Sequence, residues 1–478
     1  MPMRELKANL LNYVRGRCPG LPEVPESVVS CPPDPKMGDL AVQCFPLAKA
    51  LRRNPQEIAE ELAEAGGTLP GFCQVAQAGP YVNFFLDPTA LAERVLNEIR
   101  EQGPEYGHLN VGAERTVVLD YSSPNIAKPF GIGHLRSTVI GAALYRLYQA
   151  AGYRAVGINH LGDWGTQFGL LMTAYEDEGD EEALEKDPIE YCYRLYVDYS
   201  KRRAEDPEIA ERARQWFKRL EDGDPQAVSL WERMRDLSLR EFNRVYERLG
   251  VGFDHVRGES YYNELMSGAL ERLRAKGLLK RDEGALIVDL SDCDMPPALL
   301  EKSDGASTYL LRDLAAAESR QEEFGFTACL YVIGTPQALH MRQLRAVLVK
   351  LGYEWAEGIE HVNFGHIQGM KTREGNLIFL EEVLSEAAQR SRQKIEENVE
   401  RGWSEAELDA EAVSQAVGIG AIIFNDLKQN RCHEITFDWD RMLSLEGDSG
   451  PYLQYAYSRT CGILRKGQSE EMPAFEAE

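Results

Sequence analysis

The sequence lacks several features that would place it in a membrane, in a secretory pathway or in a metal-binding class. No uninterrupted apolar run approaches the ~20 residues that a membrane-spanning helix needs. The first residues, MPMRELKANLLNYVRGR, lack the apolar core and small-residue cleavage site of a signal peptide. The nine cysteines are scattered and form no CxxC, which argues against a disulfide framework and against a structural zinc site. We therefore expect a cytoplasmic protein that binds no membrane and has no metal site built from its own side chains.

Positive charge is also scarce. The 478 residues include 53 Lys and Arg against 77 Asp and Glu, so the formal net charge is −24. Apolar residues make up 44% and charged residues 27%, which is ordinary for a globular protein and excludes a disordered or collagen-like chain. The acidity argues against loose binding to polyanions, and we expect no DNA binding. It leaves open a specific nucleic-acid surface built from a local basic patch.

Apolar spacing and turn residues predict an α+β module at the start of the chain. This module covers residues 1–106, with a helix over residues 36–51 and a strand over residues 81–86. The strand closes at Asp87-Pro88, a pair that suits the cap and first turn of a following helix.

Residues 112–384 are predicted to form an α/β body, followed by an all-α segment at residues 385–478. A strand, a glycine-rich loop, a helix and a strand occupy residues 116–121, 122–133, 134–151 and 154–159, and a strand, helix and strand recur at 329–333, 336–351 and 362–367. This alternation is typical of a doubly wound, Rossmann-like parallel sheet. A helical insertion at about residues 175–250 divides the two halves.

The loop SSPNIAKPFGIGHLRST, residues 122–138, joins a predicted strand to a predicted helix. A helix N-terminus entered through glycines offers free N–H groups and a positive dipole end to a phosphate. Gly131 and Gly133 allow close approach of the backbone, and His134 can donate a hydrogen bond. Lys128 adds a compact positive charge. The loop indicates a phosphate or nucleotide site, while a tight connection whose glycines serve packing stays open as an alternative.

Six further segments follow in order: NHLGDWGTQFG, GESYY, STYLLRDLAAA, YVIGTPQALHMRQ, GMKTREGN and GDSGPYLQYAYSR. Together with the loop, which resembles SPNIAKPFHVGHLRST, they resemble the arginyl-tRNA synthetase family of class I aminoacyl-tRNA synthetases. The resemblance extends from the first predicted helix to about Lys466.

This resemblance implies two reactions in one pocket. The carboxylate of L-arginine attacks the α-phosphate of ATP, and the adenylate then passes arginine to the terminal ribose of tRNA for arginine. Neither step requires an enzyme nucleophile, so Lys, Arg, His, backbone N–H groups and Mg²⁺ should stabilise the developing charge. We further expect a monomer.

The family's ATP-site motifs fall on two segments of this chain. The resemblance assigns ATP binding to Pro124, Gly131, Gly133, His134, Met370 and Lys371, and catalysis to Lys128, His134, Lys371 and Arg373. Gly131 stands where the family's HIGH motif has its first histidine, which removes one potential donor to the phosphates. Glu374 is unexpected beside two cations meant for pyrophosphate. Without the family, residues 371–374 would be an ordinary charged turn.

An arginine site has its own physical requirement. A carboxylate in the plane of a guanidinium forms a bidentate, charge-assisted pair. The resemblance assigns arginine binding to Ser123, Asn125, His160, Glu259, Tyr309, Asp313 and Gln337. Tyr309 and Asp313 are four residues apart, so one helix face can present both. Taken singly, Glu259 and Asp313 would be ordinary solvated or salt-bridged carboxylates.

For tRNA binding, the segment GPYVNFFL resembles a strand of the family's domain that contacts the tRNA elbow. Asn83 and Phe85 would then contact an unstacked base, while a core position is equally open for Phe85. Tyr452 and Arg459 lie in GPYLQYAYSR, which resembles the first helix of the family's anticodon-binding domain. We expect the chain to lack most of that domain and to carry an association-prone apolar helix near residues 452–463.

Two other functions stay open. One is a non-catalytic paralogue that binds arginine or tRNA as a regulator or complex subunit, for which Gly131 and Glu374 are the best support. The other is an enzyme that hands its adenylate to a small amine or carrier. The predicted tRNA-elbow module argues against this last function.

Overall fold

The computed structural model describes residues 2–21, 24–66, 69–128, 130–303, 305–368, 379–400 and 409–467. The chain divides into two units, one formed by residues 1–108 with 464–478 and the other by residues 109–463. Among the described residues, none of the helices is both long enough and apolar enough to cross a membrane.

The first unit is an α+β module, as the sequence predicts. Its elements are α1 (Pro2–Arg17), β1 (Val29–Ser30), β2 (Leu40–Gln43), α2 (Cys44–Leu51), α3 (Pro55–Gly66), β3 (Phe72–Ala78), β4 (Tyr81–Leu86) and α4 (Pro88–Gln102). The strands form one antiparallel sheet in the order β1–β2–β4–β3. Asp87 caps α4, because its side chain accepts hydrogen bonds from the N–H groups of Thr89 and Ala90.

The predicted helix over residues 36–51 is wrong in its first half. Only Cys44–Leu51 is α-helical, whereas Leu40–Gln43 is a strand paired with β1 on one side and β4 on the other. Gly38, with φ of 117°, ends the preceding turn in a conformation that no helix contains. Leu40 and Cys44 are both buried, but from two different elements, so their spacing of four residues imitated one helical face.

The second unit is built around a parallel sheet. The elements after residue 109 are β5 (Thr116–Asp120), α5 (Gly133–Ala150), β6 (Arg154–Asn159), α6 (Thr166–Glu178), α7 (Glu181–Lys186), α8 (Pro188–Glu205), α9 (Pro207–Glu221), α10 (Pro225–Leu249), β7 (His255–Val256), α11 (Met266–Ala275), β8 (Leu279–Asp282), β9 (Ala285–Val288), β10 (Ala298–Glu301), α12 (Tyr309–Phe324), β11 (Ala328–Tyr331), α13 (Ala338–Leu351), β12 (Ile359–His361), β13 (Ile367–Gln368), α14 (Leu380–Glu400), α15 (Ala410–Leu427), β14 (Ile435–Thr436), α16 (Trp439–Met442) and α17 (Gly450–Lys466).

Five strands in the order β12–β11–β5–β6–β7 form this sheet, and each neighbouring pair is parallel. Every residue of β5 is buried, as expected for a central strand covered on both faces. The predicted Rossmann-like sheet is therefore confirmed. Because the strands are parallel, the residues that follow β5, β6 and β11 meet at one edge.

Two details differ from the sequence predictions. The strand predicted at residues 362–367 lies earlier, at Ile359–His361, where it pairs with β11. Val362 and Phe364 are buried although they lie beyond the end of that strand. Their apolar side chains therefore led to a predicted strand that begins too late in the chain. The C-terminal part is helical as predicted but also contributes the two-residue strand β14, which pairs with β13. Four helices, α7 to α10, fill the predicted insertion.

Candidate active site

The loop between β5 and α5 has a strained backbone that is held by hydrogen bonds. Ser122, Ser123 and Ala127 all have positive φ, a conformation that is costly for residues other than glycine. The N–H of Ser122 donates to Ser137 Oγ at 2.9 Å. The Ser122 hydroxyl lies 2.8 Å from Tyr246 OH, on the insertion helix α10. Such strain, supported from several elements, is typical of a functional loop.

This loop also pairs with the segment that follows β6. Gly162 N–H donates to Pro124 C=O, and Ile126 N–H donates to Gly162 C=O, both at 3.0 Å. A Cβ atom on residue 162 would lie only 2.2 Å from Asn125 Oδ1, so any larger residue there would displace the Asn125 side chain. The predicted residues Pro124 and Asn125 are therefore fixed against the segment that contains His160.

His134 lies at the start of α5, with its N–H donating to Gly131 C=O at 2.9 Å. Burial lowers the pKa of its imidazole, so the ring is neutral at pH 7. Within the part of the chain that the structure describes, Nδ1 of His134 has no hydrogen-bond partner. A neutral ring with one unpaired nitrogen suits hydrogen bonding to a ligand better than charge pairing.

Lys128 and the backbone around Gly131 complete this end of the site. The Lys128 Nζ atom lies 5.4 Å from the ring centroid of Tyr196, on insertion helix α8, in a cation–π arrangement. Gly131 forms a β-bridge with Phe379, and Leu380 N–H donates to Phe130 C=O at 2.8 Å. The predicted site residues Met370, Lys371 and Arg373 lie outside the described residues.

Glu259 begins a 3₁₀ turn at Glu259–Leu265 and is 9% exposed. Burial raises the pKa of its carboxyl to about 7, although Arg312 acts in the opposite direction. Arg312 Nη1 donates to Glu259 Oε2 at 3.1 Å. The turn is anchored by Asp163, which accepts the N–H and hydroxyl of Ser260 at 2.8 and 2.7 Å. Glu259 is thus a nearly buried carboxyl on a firmly held turn.

Asp313 lies one turn into α12, between two histidines. His340 Nε2 donates to Asp313 Oδ2 at 2.6 Å, and His160 Nε2 lies 4.0 Å from Asp313 Oδ1. Burial acts to raise the pKa of Asp313, but the hydrogen bond from His340 and the nearby positive charges, Arg320 among them, outweigh it and the pKa is lowered. Asp313 is therefore a carboxylate at neutral pH, whereas Glu259 is close to half-protonated.

A deeper layer of charge lies behind Asp313. Arg320, wholly buried on α12, forms an ion pair with Asp120 at 2.8 Å between Nη2 and Oδ2. Asp120 ends β5 and accepts the hydroxyl of Ser123 at 2.9 Å. The predicted residues Ser123, His160 and Asp313 therefore belong to one connected polar network.

The other predicted arginine-site residues lie around this network. Tyr309 is the first residue of α12 and is 68% exposed. Gln337 is exposed immediately before α13, one helical turn before His340, and so occupies the strand-to-helix junction that the sequence predicts. The structure thus brings most of the predicted arginine-binding set to one edge of the sheet.

Sequence reasoning missed five residues of this network: Asp120, Asp163, Arg312, Arg320 and His340. Asp120 could have been found, because it is the last residue but one of the strand predicted at residues 116–121, near the edge where ligand groups collect. Asp163, Arg312 and His340 lie inside the quoted motifs, but only the fold shows what they contact. No motif or spacing in the sequence distinguishes Arg320 from the other arginines.

The predicted tRNA-binding residues differ in exposure. In the first unit, Asn83 is 5% exposed, whereas Phe85 is half-buried on the face opposite the core residue Phe84. Burial of the Asn83 side chain weighs against direct contact with a base. In the second unit, Tyr452 and Arg459 are both exposed on α17. Their roles stay predictions.

Two family models match this chain. The model for "tRNA synthetases class I (R), catalytic domain" matches residues 96–439, and that for "Arginyl tRNA synthetase N terminal domain" matches residues 4–86. The matched ranges contain the parallel sheet with its insertion and the antiparallel sheet of the first unit, respectively.

Known proteins resemble the chain over most of its length. An arginine–tRNA ligase of Clostridium perfringens is 46% identical over 454 residues, which cover 94% of this chain and 79% of that protein. The solved arginyl-tRNA synthetase of Thermus thermophilus is 26% identical with a TM-score of 0.73, covering 99% of this chain and 83% of that chain. The arginyl-tRNA synthetase structure from Plasmodium falciparum shares the fold, with a TM-score of 0.79 at 23% identity and coverage of 97% and 80%. The chain therefore belongs to the arginyl-tRNA synthetase family of class I aminoacyl-tRNA synthetases, enzymes that use ATP to ligate arginine to tRNA.

Proposed function

We propose that this chain joins L-arginine to tRNA for arginine in two steps, with Glu259 and Asp313 as the carboxylates that bind the guanidinium group. In the first step, a carboxylate oxygen of arginine attacks the α-phosphate of ATP, the bond to pyrophosphate breaks, and arginyl-adenylate forms. In the second step, a ribose hydroxyl of the tRNA attacks the activated carbonyl carbon, loses its proton, and AMP leaves.

The observation that carries this proposal is that, within the described ranges, only one oxygen of each of the two carboxylates accepts a hydrogen bond. Arg312 occupies one oxygen of Glu259, and His340 occupies one oxygen of Asp313. Among the described residues, none donates a hydrogen bond to the other oxygen of either group. Two such acceptor oxygens, on side chains that are 12% exposed in Glu259 and 24% exposed in Asp313, suit the five donors of a planar guanidinium, whereas lysine offers a single compact charge. Discrimination of ~10⁴-fold is plausible because buried acceptors would be left poorly paired by the wrong substrate. Ser123, Asn125, His160, Tyr309 and Gln337 would complete the arginine site.

ATP would bind beside this pocket, at the start of α5. We assign Pro124, Gly131, Gly133, His134, Met370 and Lys371 to ATP binding, and Lys128, His134, Lys371 and Arg373 to the chemical step. Their role would be to position the phosphates and neutralise charge on the leaving pyrophosphate, because the reaction needs no covalent enzyme intermediate.

Mg²⁺ would enter as part of the substrate, bound to the phosphates of ATP. Among the described residues, no group of three or more His, Cys, Asp or Glu side chains could hold a metal ion. This fits the usual behaviour of Mg²⁺, which binds through phosphates and few protein ligands.

The tRNA would be recognised outside the catalytic pocket. We propose residues 1–106 as a tRNA-elbow module acting through Phe85, residues 112–384 as the catalytic domain, and residues 385–478 as a helical segment that contacts tRNA through Tyr452 and Arg459. We also propose a cytoplasmic monomer.

Arginine-dependent exchange of pyrophosphate into ATP tests the proposal directly. It should be measured on the 478-residue chain with and without tRNA for arginine, and with lysine and citrulline as control substrates. We expect exchange with arginine alone among these amino acids. Exchange that is equal for lysine would overturn the assigned guanidinium site, and aminoacylation without any exchange would overturn the adenylate step.

A further inference from the structure

Arg320 is a fully buried charged side chain that the proposed reaction leaves without a role. It is 0% exposed on α12 and lies behind Asp313, away from the surface. Its guanidinium lies between the rings of Tyr331 and Tyr262, at 5.2 and 5.9 Å from their centroids. A fully buried charge has lost its hydration, and this loss must be offset by the groups that it contacts inside the protein.

One nitrogen of Arg320 has two neighbours. Its Nη2 atom forms the ion pair with Asp120 Oδ2 at 2.8 Å and lies within hydrogen-bond distance of His160 Nδ1, at 3.3 Å. A guanidinium carries only donors. His160 Nδ1 must therefore be the acceptor in this hydrogen bond, and it carries no proton.

This assignment fixes the chemistry of the His160 ring. A neutral imidazole with a bare Nδ1 carries its single proton on Nε2. Nε2 is the atom that faces Asp313 Oδ1, 4.0 Å away. The N–H end of the ring is therefore directed toward the carboxylate proposed to bind substrate.

His160 is also surrounded by charges of both signs. The groups that face it are Asp120 on β5, Asp163 after β6, Tyr262 on the 3₁₀ turn, and Arg320 and Asp313 on α12. Burial lowers the pKa of His160 most strongly, the carboxylates raise it, and Arg320 lowers it further. The net shift is downward, so the ring stays neutral through the physiological range.

We propose that Arg320 is a positioning residue that holds His160 as the neutral tautomer protonated on Nε2, so that the ring directs its N–H toward Asp313 without adding positive charge to the guanidinium site. The functional part of this inference rests on the proposed arginine site. If His160 were a cation, it would compete with the substrate guanidinium for Asp313. Arg320 thus adds to the effect of burial and helps to keep a second positive charge out of the pocket.

Nitrogen NMR on the full chain labelled with ¹⁵N-histidine, without substrate, tests the tautomer. His160→Gln identifies the His160 signals among the eight histidines. We expect wild type to show a protonated Nε2 and a bare Nδ1, and to titrate at a lower pH than an ordinary imidazole. Arg320→Lys should keep this tautomer, because an ammonium also only donates, whereas Arg320→Met should populate the Nδ1–H form or the cation.

Arg320→Met leaves Asp120 buried without its partner and can fail to fold. The double variant Asp120→Asn with Arg320→Met removes both charges and avoids an unpaired one. It should also populate the Nδ1–H tautomer. Arg272→Met, which removes an arginine from the surface of α11, is the matched control and should leave the His160 spectrum unchanged. A wild-type ring protonated on Nδ1, or an unchanged tautomer in the double variant, would overturn the proposal.

Kinetics gives a separate readout. Removing Arg320 should raise the pKa of His160 toward its ordinary value of about 6.5, so the KM for arginine in Arg320→Met should rise by up to about fourfold between pH 8 and pH 6, beyond the wild-type change. The KM for ATP should not follow. A spectrum that behaves as expected while arginine KM does not move would instead contradict the proposed arginine site, so the two failures are distinguishable.

Discussion

Two regions of the second unit both contain arginine–carboxylate ion pairs, but the pairs are buried in one region and exposed to water in the other. Around the candidate site, the ion pairs Arg136–Asp426, Arg320–Asp120 and Arg312–Glu259 are nearly withdrawn from water. In the insertion, Arg202, Arg212 and Arg233 pair with carboxylates whose side chains are one-third to two-thirds exposed. Sequence composition does not separate the two groups.

This difference in burial indicates which arginines should lower the free energy of unfolding most when they are replaced. A buried pair has already lost its hydration, so removing one partner leaves a charge that nothing solvates. An exposed pair exchanges protein contacts for water at little net change in free energy. Short distances occur in both regions, and burial, rather than distance, should therefore rank the effects of substitution.

The largest expected effect is at Arg136. It donates to Asp426 Oδ2 at 3.1 Å and to the carbonyls of Gly365 and His433 at 2.7 and 2.9 Å, and so connects α5, α15 and two loops. Arg136→Met should lower the free energy of unfolding by about 3–5 kcal/mol, measured by urea denaturation. Adding Asp426→Leu should recover part of this loss. A loss below 1 kcal/mol would contradict the ranking by burial.

The next effect concerns substrate rather than folding. Asp313→Asn keeps the shape of the side chain but removes the charge proposed to bind the guanidinium. We expect arginine affinity to fall by about 2–5 kcal/mol, that is about 30- to 4,000-fold, with the KM for ATP within twofold of wild type. Glu322→Gln, on the exposed face of the same helix, is the control and should change neither constant. Equal losses of arginine and ATP affinity would contradict the assignment of Asp313 to the guanidinium site.

Glu259 should make arginine binding depend on pH. Its raised pKa of about 7 means that the carboxyl is mostly protonated at pH 6 and mostly charged at pH 8. Because the charged form binds a guanidinium, the KM for arginine should fall about tenfold from pH 6 to pH 8. Glu259→Gln should bind more weakly at pH 8 and lose this dependence. Retention of the full pH dependence in that variant would assign the titration to another group.

The contrast between buried and exposed ion pairs also explains which features the sequence could predict and which it could not. The alternation of strands and helices correctly predicted the parallel sheet. The observed ranges of β4 and β6 agree with the predicted ones to the residue. The motif residues around Asp313 and Glu259 followed from the family resemblance. Burial was not predictable, since Arg320 and Arg212 look alike in a chain rich in Arg and Glu. Nor was pairing across the fold, because Arg136 and Asp426 are 290 positions apart.

The smallest expected effect is at Arg212, although its contacts are among the shortest. Its Nη2 atom lies 2.7 Å from Glu176 and 2.6 Å from Asp177. All three side chains are about a third or more exposed, so water can replace each partner. Arg212→Met should therefore lower the free energy of unfolding by less than about 1 kcal/mol, and 1 M NaCl should abolish most of that difference. Since Arg136→Met is the same substitution at a buried pair, urea denaturation of the two variants compares burial directly. Equal losses would show that geometry, not burial, sets the value of an ion pair in this protein.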